Sequence, residues 1–286
     1  MIGFLNVYKP QNMSSAAVVG KIKKQFNLKK VGHMGTLDPL ACGILPIAIG
    51  KATRMFDYFL NKSKQYIVEC EFGYETPSLD LGTEPNLVTN VFPNRQDVEN
   101  SCKSFVGKIS QLPPIYSAKN VNGEKAYDLA RSGKSVELKP VVVEIFRFEC
   151  LCEVEQNKFR FLIECSSGTY VRSLIRDLAY KLNSLATVTF LERSESGVFN
   201  KDNSVNLNDL LNSNLNDYCL SIQSVFQNIK TISVNDSEFF KLKNGLTVNV
   251  ELENDANVFI LYKTELLGVA TVENGSIKLK TYLLED

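Results

Sequence analysis

Tryptophan is absent from the 286 residues, and histidine occurs once, at His33. A single imidazole excludes any metal centre built on several histidines. The seven cysteines, at 42, 70, 102, 150, 152, 165 and 219, are odd in number and include no Cys-x-x-Cys pair. They read as reduced, mostly buried thiols of a cytoplasmic protein, with neither a disulfide framework nor zinc. Net charge is missing too, since 32 basic side chains offset 32 acidic ones. No apolar run approaches membrane-spanning length, and the opening MIGFLNVYKP lacks the basic-then-apolar layout of a signal peptide. The expectation is a soluble chain with no membrane contact, and nothing argues against a monomer.

Zero net charge does not exclude nucleic acid, because phosphate binding depends on local cation density. The charges are segregated. Lys21, Lys23, Lys24, Lys29, Lys30, Lys51 and Arg54 crowd the stretch before Tyr66, whereas acids such as Asp202, Asp236, Glu251 and Glu273 gather after Asn200. Inside the basic stretch lies GHMGTLDPLACG, residues 32–43. Its glycines reach backbone angles closed to other residues, and Pro39 fixes the torsion just after Asp38. Asp38 is therefore expected on a rigid loop in a cationic field that attracts an anionic polymer. The plain alternative is an ordinary Asp-Pro turn.

The longer string GHMGTLDPLACGILPIAIGKATR resembles the signature of the TruB family of pseudouridine synthases, the tRNA pseudouridine-55 type. The resemblance continues in GFLNVYKPQNMSS, where Asn12 replaces a customary glycine, and in KQYIVECEFGYET, a Lys-x-Tyr strand carrying Tyr66. A Thr-Asp-Ser-type loop has become ETPSLDLGTE, so no role is carried onto Asp80. QLPPIYSAKNVNGEKAYDLARSG, CSSGTYVRSLIRDLAYKL and FLERSESGVF extend the similarity to Phe199.

Local patterns predict a strand at Gly3 to Val7 and a helix from Ser15 to Phe26 capped by Ser14 or Ser15. A buried strand is expected at Ile44 to Ile49, helices at Lys51 to Leu60 and Arg95 to Phe105, and a hairpin turning at Gln156-Asn157. A further helix should run from Gly168 to Asn183, its first turn carrying Thr169, Tyr170 and Arg172. A shorter one should run from Ala126 to Ser132 inside a polar excursion. Hairpins among helices indicate an α+β fold with a mixed or antiparallel sheet, and the resemblance implies the pseudouridine synthase fold with a central cleft. Residues 1–228 would form the catalytic domain, with an RNA-contacting insertion at about 117–140. From about Ile229, short strands around Gly245 and at Val258 to Tyr262, Gly268 to Val272 and Ile277 to Tyr282 suggest that residues 229–286 form a small β domain, in the place of the family's PUA-like domain.

The resemblance implies isomerisation of uridine to pseudouridine at position 55 in the T-loop of tRNA. Asp38 would be the catalytic carboxylate, Arg172 its partner and Tyr66 the aromatic that stacks on the base. Tyr170 and Leu191 would contact the flipped base, and His33 would sit against the RNA loop. Lys9 and Lys119, with Lys21, Lys24, Lys29 and Lys30, are candidate phosphate contacts. The reaction changes no oxidation state, so no cofactor, metal or obligate protein partner is implied. Without the resemblance, Tyr66, Tyr170 and Leu191 read as core packing and Arg172 as a surface ion pair. Alternatives are a non-catalytic RNA-binding or tRNA-folding chaperone on the same scaffold, a synthase for another RNA uridine, and a nucleoside hydrolase, the last disfavoured because no partner acid lies in the motif.

Overall fold

Ser14 begins the first helix as expected, accepting a hydrogen bond from the Ala17 amide at 3.1 Å and so satisfying an amide without an intrahelical partner. The computed structural model describes residues 1–286 except 60, 61, 118, 122, 133–136, 285 and 286. Helix α1 (Ser15–Gln25) follows strand β1 (Gly3–Lys9), and Asn12 between them takes a left-handed φ of 61°, the conformation that glycine would supply. β1 pairs antiparallel with β3 (Cys42–Ile49), and the short β2 (Val31–His33) joins the outer end of β3.

β3 is buried at every position. A strand covered on both faces reads as a continuous apolar run, which is how GILPIAI looks in the sequence. β4 (Lys64–Phe72), β5 (Gly107–Gln111), β6 (Val141–Glu155), β7 (Lys158–Cys165) and β8 (Ala186–Ser196) complete the main path. The strand order is Val205–Asn206, β1, β3, β8, β4, β7, β6, β5, within a sheet of ten strands among the described residues. β8 runs parallel to β3 and antiparallel to β4, so the sheet is mixed. β6 and β7 form the expected hairpin, with Asn157 at φ 61° in its turn.

One face of this sheet is covered by α1, α2 (Arg95–Lys103) and α3 (Val171–Lys181), whose Val18, Ile22, Val98, Leu174 and Leu178 join Val68, Phe161 and Ile163 in one apolar core. A second core, on Phe4, Ile44, Phe59, Phe199 and Phe226, also takes in Phe259, Val269 and Leu283 from the C-terminal region. That region forms its own five-stranded sheet, ordered Thr231–Val234, Asp255–Tyr262, Glu265–Glu273, Ser276–Tyr282, Val248–Asn249.

Four expectations are corrected. Lys51 to Leu60 is not one α-helix: a 3-10 helix covers Gly50–Met55 and a single α turn covers Phe56–Phe59, with Leu60 outside the described residues. Thr53 donates its hydroxyl to the Gly50 carbonyl at 2.9 Å, which competes with the α ladder. The helix expected at Gly168 starts only at Val171, because Gly168 lies at φ 86° and Tyr170 is extended. The helices begun at Arg95 and Ala126 end earlier than expected, at Lys103 and Arg131. Helix α4 (Asp236–Lys243), where no element is predicted, is opened by a reciprocal capping box between Asn235 and Glu238. Among the described residues no helix is long and apolar enough to cross a membrane.

Candidate active site

Asp38 lies on the loop between β2 and β3, and side chains from three other elements hold that loop by its backbone. Ser15 at the start of α1 both donates to and accepts from Leu37, each at 2.9 Å. Arg193 of β8, fully buried, donates to the carbonyls of Ile44 at 2.8 Å, Gly35 at 3.1 Å and Thr36 at 3.4 Å. Lys9, at the end of β1, donates to Pro10, Met13 and Pro39 at 2.9, 2.6 and 3.3 Å. Gly43 is required where it stands: a Cβ there would lie 2.3 Å from the Arg193 carbonyl oxygen.

Arg172, the second residue of α3, reaches the Asp38 carboxylate at 2.7 Å. The Arg172 side chain is 5% exposed and that of Asp38 36%, so the acid is open to the cleft while its cation is not. The same guanidinium lies 3.3 Å from Asp80 and donates to the carbonyls of Ser78 at 2.7 Å and Tyr116 at 3.0 Å. Arg172 therefore bridges two carboxylates, with its plane fixed by backbone.

A cleft of about 290 Å³ opens here, lined by Asp38, Tyr66, Lys119, Tyr170, Arg172 and Leu191 among others. An adjoining one of about 230 Å³ shares Asp38, Arg172 and Leu191 and adds Asp80. Asp38, Tyr66, Lys119, Tyr170, Arg172 and Leu191, all singled out from the sequence, thus meet around one space. Tyr66 and Arg193 are direct partners across the β4–β8 ladder. Burial pushes the Tyr66 phenol up to about 12, and the Arg193 guanidinium only partly offsets this. Burial also raises Tyr170. Among the described residues no group of three or more His, Cys, Asp or Glu could hold a metal.

Residues 23–171 match the TruB family pseudouridylate synthase, N-terminal domain. The chain belongs to the TruB family. It is 38% identical over 277 residues to the tRNA pseudouridine synthase B of Rickettsia bellii strain OSU 85-389, covering 95% of this chain and 94% of that protein. The enzyme of the same name from Clostridium novyi is 37% identical over 290 residues, covering 99% and 100%. In fold, the chain superposes on a chain of an H/ACA RNP bound to a substrate RNA containing 2'-deoxyuridine, with a TM-score of 0.72 at 21% identity, covering 99% of this chain and 85% of that one. A chain of a Cbf5-Nop10-Gar1 complex gives the same score at 23% identity, with 98% and 84% covered.

Within this TruB-family site, one sequence expectation fails. Lys9 is no phosphate contact, since it is fully buried and its ammonium faces three carbonyls; burial lowers it to about 8. His33 is absent from the residues lining either cleft. It sits on β2 opposite Ile47, its Nδ1 buried without a partner, and burial followed by the nearby Arg193 charge lowers its pKa. Lys21, Lys24, Lys29 and Lys30 are exposed, as contacts to a large polyanion require. Asp80 was missed because the loop spacing differs from the family pattern. Leu79 in front of it adopts φ 63°, and the Leu79 carbonyl accepts from the Val188 amide at 3.0 Å, which turns the acid toward Arg172. Arg193 lies within FLERSESGVF, where sequence implies no role for it, because its carbonyl partners leave no trace in sequence.

Proposed function

We propose that this chain isomerises uridine to pseudouridine at position 55 in the T-loop of tRNA, with Asp38 as the reacting carboxylate. The observation that carries the reading is a single open carboxylate on a loop clamped from three elements and ion-paired to a buried arginine. The names of the relatives, tRNA pseudouridine synthase B, support tRNA as the substrate. A uridine inside a folded arm cannot present C1′ and C5 to Asp38, so the nucleotide is flipped out, at a cost of about a few kcal/mol offset by stacking and phosphate contacts.

Glycosidic cleavage needs a carboxylate at C1′, to attack it or to stabilise charge there. Asp38 fills that role, and Arg172 aims it. The freed uracil turns and C1′ bonds to C5, after which the C5 proton passes to solvent and N1 takes one up, so that the product is an isomer of the substrate. A phenol pushed to about 12 is neutral near pH 7, so Tyr66 stacks on the base and offers its hydroxyl as a donor and is not the proton acceptor. Tyr170 and Leu191 pack the flipped base, and Lys119 reaches the cleft from the excursion after Ser117. Asp80 is engaged by Arg172, which argues against a hydrolase with two working carboxylates.

Residues 1–228 act as the catalytic unit and 229–286 as a PUA-like accessory, a division supported by the separate C-terminal sheet. The reading takes the chain to work as a monomer in the cytoplasm on the T-arm. The test is base-resolved mapping of pseudouridine on an unmodified tRNA transcript. Wild type should convert the T-loop uridine, and Asp38→Asn should bind without converting it. Binding by both without conversion by either would make the chain a binder.

A further inference from the structure

The floor of the Asp38 cleft holds two buried cations and no anion to match them. Lys64 is 9% exposed and Arg193 is 1% exposed, and both line the cleft. Among the described residues neither makes an ion pair. Arg193 bonds carbonyls and the Tyr66 hydroxyl but no carboxylate, and the Lys64 ammonium has one partner, the Ser167 hydroxyl, for three donors. They are neighbours: a Cβ on Gly35 would lie 3.6 Å from Arg193 Nη1 and 3.7 Å from Lys64 Cε. Like charges buried together without a counter-ion are unfavourable in the free protein.

The same cleft is lined by Gly168 to Arg172, the entry to the eleven-residue helix α3. Tyr170, its N-cap, supplies no side-chain acceptor, so the positive end of the helix adds to the field. Asp38 is the one carboxylate on this wall, and Arg172 already engages it.

We infer that Lys64 and Arg193, with the start of α3, form a subsite for a single phosphodiester of the RNA strand, the one adjoining the nucleotide stacked on Tyr66. Lys64 and Tyr66 stand two residues apart on β4, on one face and about 7 Å from each other. The subsite rests on the function proposed above and names the charged group the cleft takes besides uracil. Burial, followed by the Arg193 charge, lowers Lys64 to about 8, as expected for an ammonium that lacks its anion.

The test uses the full chain and a T-arm stem-loop in which one phosphodiester is replaced by an uncharged methylphosphonate. Replacement at one of the two phosphates flanking the target uridine should weaken wild-type binding about tenfold, and Lys64→Met should weaken binding of the unmodified RNA by a similar factor. Combined, the two losses should not multiply, and Lys64→Arg should recover most of the affinity. Lys64→Met should melt no lower than wild type, because it removes an uncompensated charge; a folding defect would lower it.

Multiplying losses at both flanking phosphates, or unchanged affinity of Lys64→Met, overturns the subsite. So does a melting temperature raised by inorganic phosphate through Lys64 with no sensitivity to methylphosphonate, which would mean a free-phosphate site. Binding is read apart from conversion. A wild type that shows the pattern yet forms no pseudouridine sinks the proposed reaction alone, and one that converts uridine without the pattern sinks the subsite alone.

Discussion

Asp80→Asn is the perturbation that best separates positioning from binding in this site. The carboxylate lies 3.3 Å from the Arg172 guanidinium, and the two side chains are 14% and 5% exposed. At an effective dielectric of 20 the gross attraction is about 5 kcal/mol. Little of it is net, because Arg172 keeps Asp38 and the carbonyls of Ser78 and Tyr116. What remains is one hydrogen bond to a charged group, about 1.5–3 kcal/mol.

The asparagine retains the oxygen that accepts from the Gly82 amide at 2.9 Å, so its amino group turns toward Arg172 and donor meets donor. Arg172 then loses one of the two anions it bridges and is held by the two carbonyls alone on that side, so its aim at Asp38 loosens. If the loss falls on the transition state, single-turnover conversion of a T-arm stem-loop slows by about ten- to a hundredfold. RNA affinity should hold or improve, since a negative charge has been removed. A rate within twofold of wild type would refute the argument, and so would a slower rate explained wholly by weaker binding.

Phe226→Ala removes a ring 5.3 Å from Phe59, 6.0 Å from Phe4 and 6.4 Å from Phe259, and should cost about 3–5 kcal/mol by denaturant midpoint. Tyr66→Phe keeps the stacking face and should retain more activity than Tyr66→Leu, while the wild-type pH–rate profile should carry no Tyr66 limb until near pH 12. Lys9 and Lys64 sit near 8 in the folded chain against an ordinary 10.5, so the unfolded chain binds more protons above pH 8. Their contribution makes stability rise from pH 8 to about pH 10 and is lost as pH falls through 8; Lys64→Met should flatten that slope in melts taken across the window. RNA affinity should fall steeply with salt, and a flat response would count against the basic surface.

The Asp38 loop was legible because its chemistry is written in consecutive residues: glycines, a proline and the acid between them. Ser14 as a cap and the Gln156-Asn157 hairpin were legible for the same local reason. Tyr66, Arg172, Tyr170 and Leu191 came through family resemblance; composition alone would have left them in the core. Lys9 was misread because its partners are backbone carbonyls at Pro10, Met13 and Pro39, which any sequence would supply. Asp80 depends on a left-handed Leu79, a conformation that no residue type there announces. Helix α4 had a readable signal in the Asn235-x-x-Glu238 capping pattern.

The position of the site follows from where the sheet opens. β3 and β8 share only two register pairs, Glu192 with Cys42 and Arg193 with Gly43. One residue past the last pair, the Arg193 side chain donates to the Ile44 carbonyl, and it goes on to Gly35 and Thr36 in the loop before β3. A side chain thus continues a seam that the backbone ladder has left. Backbone pairing would have filled the gap and excluded a ligand, whereas a buried guanidinium closes it on one side and leaves the Asp38 side free. Loop rigidity here cannot come from strand hydrogen bonds, which is why Ser15, Lys9 and Arg193 each hold it from a different element. The same opening leaves Lys64 and Arg193 without an anion, so the rigidity of Asp38 and the charge on the cleft floor have one structural origin.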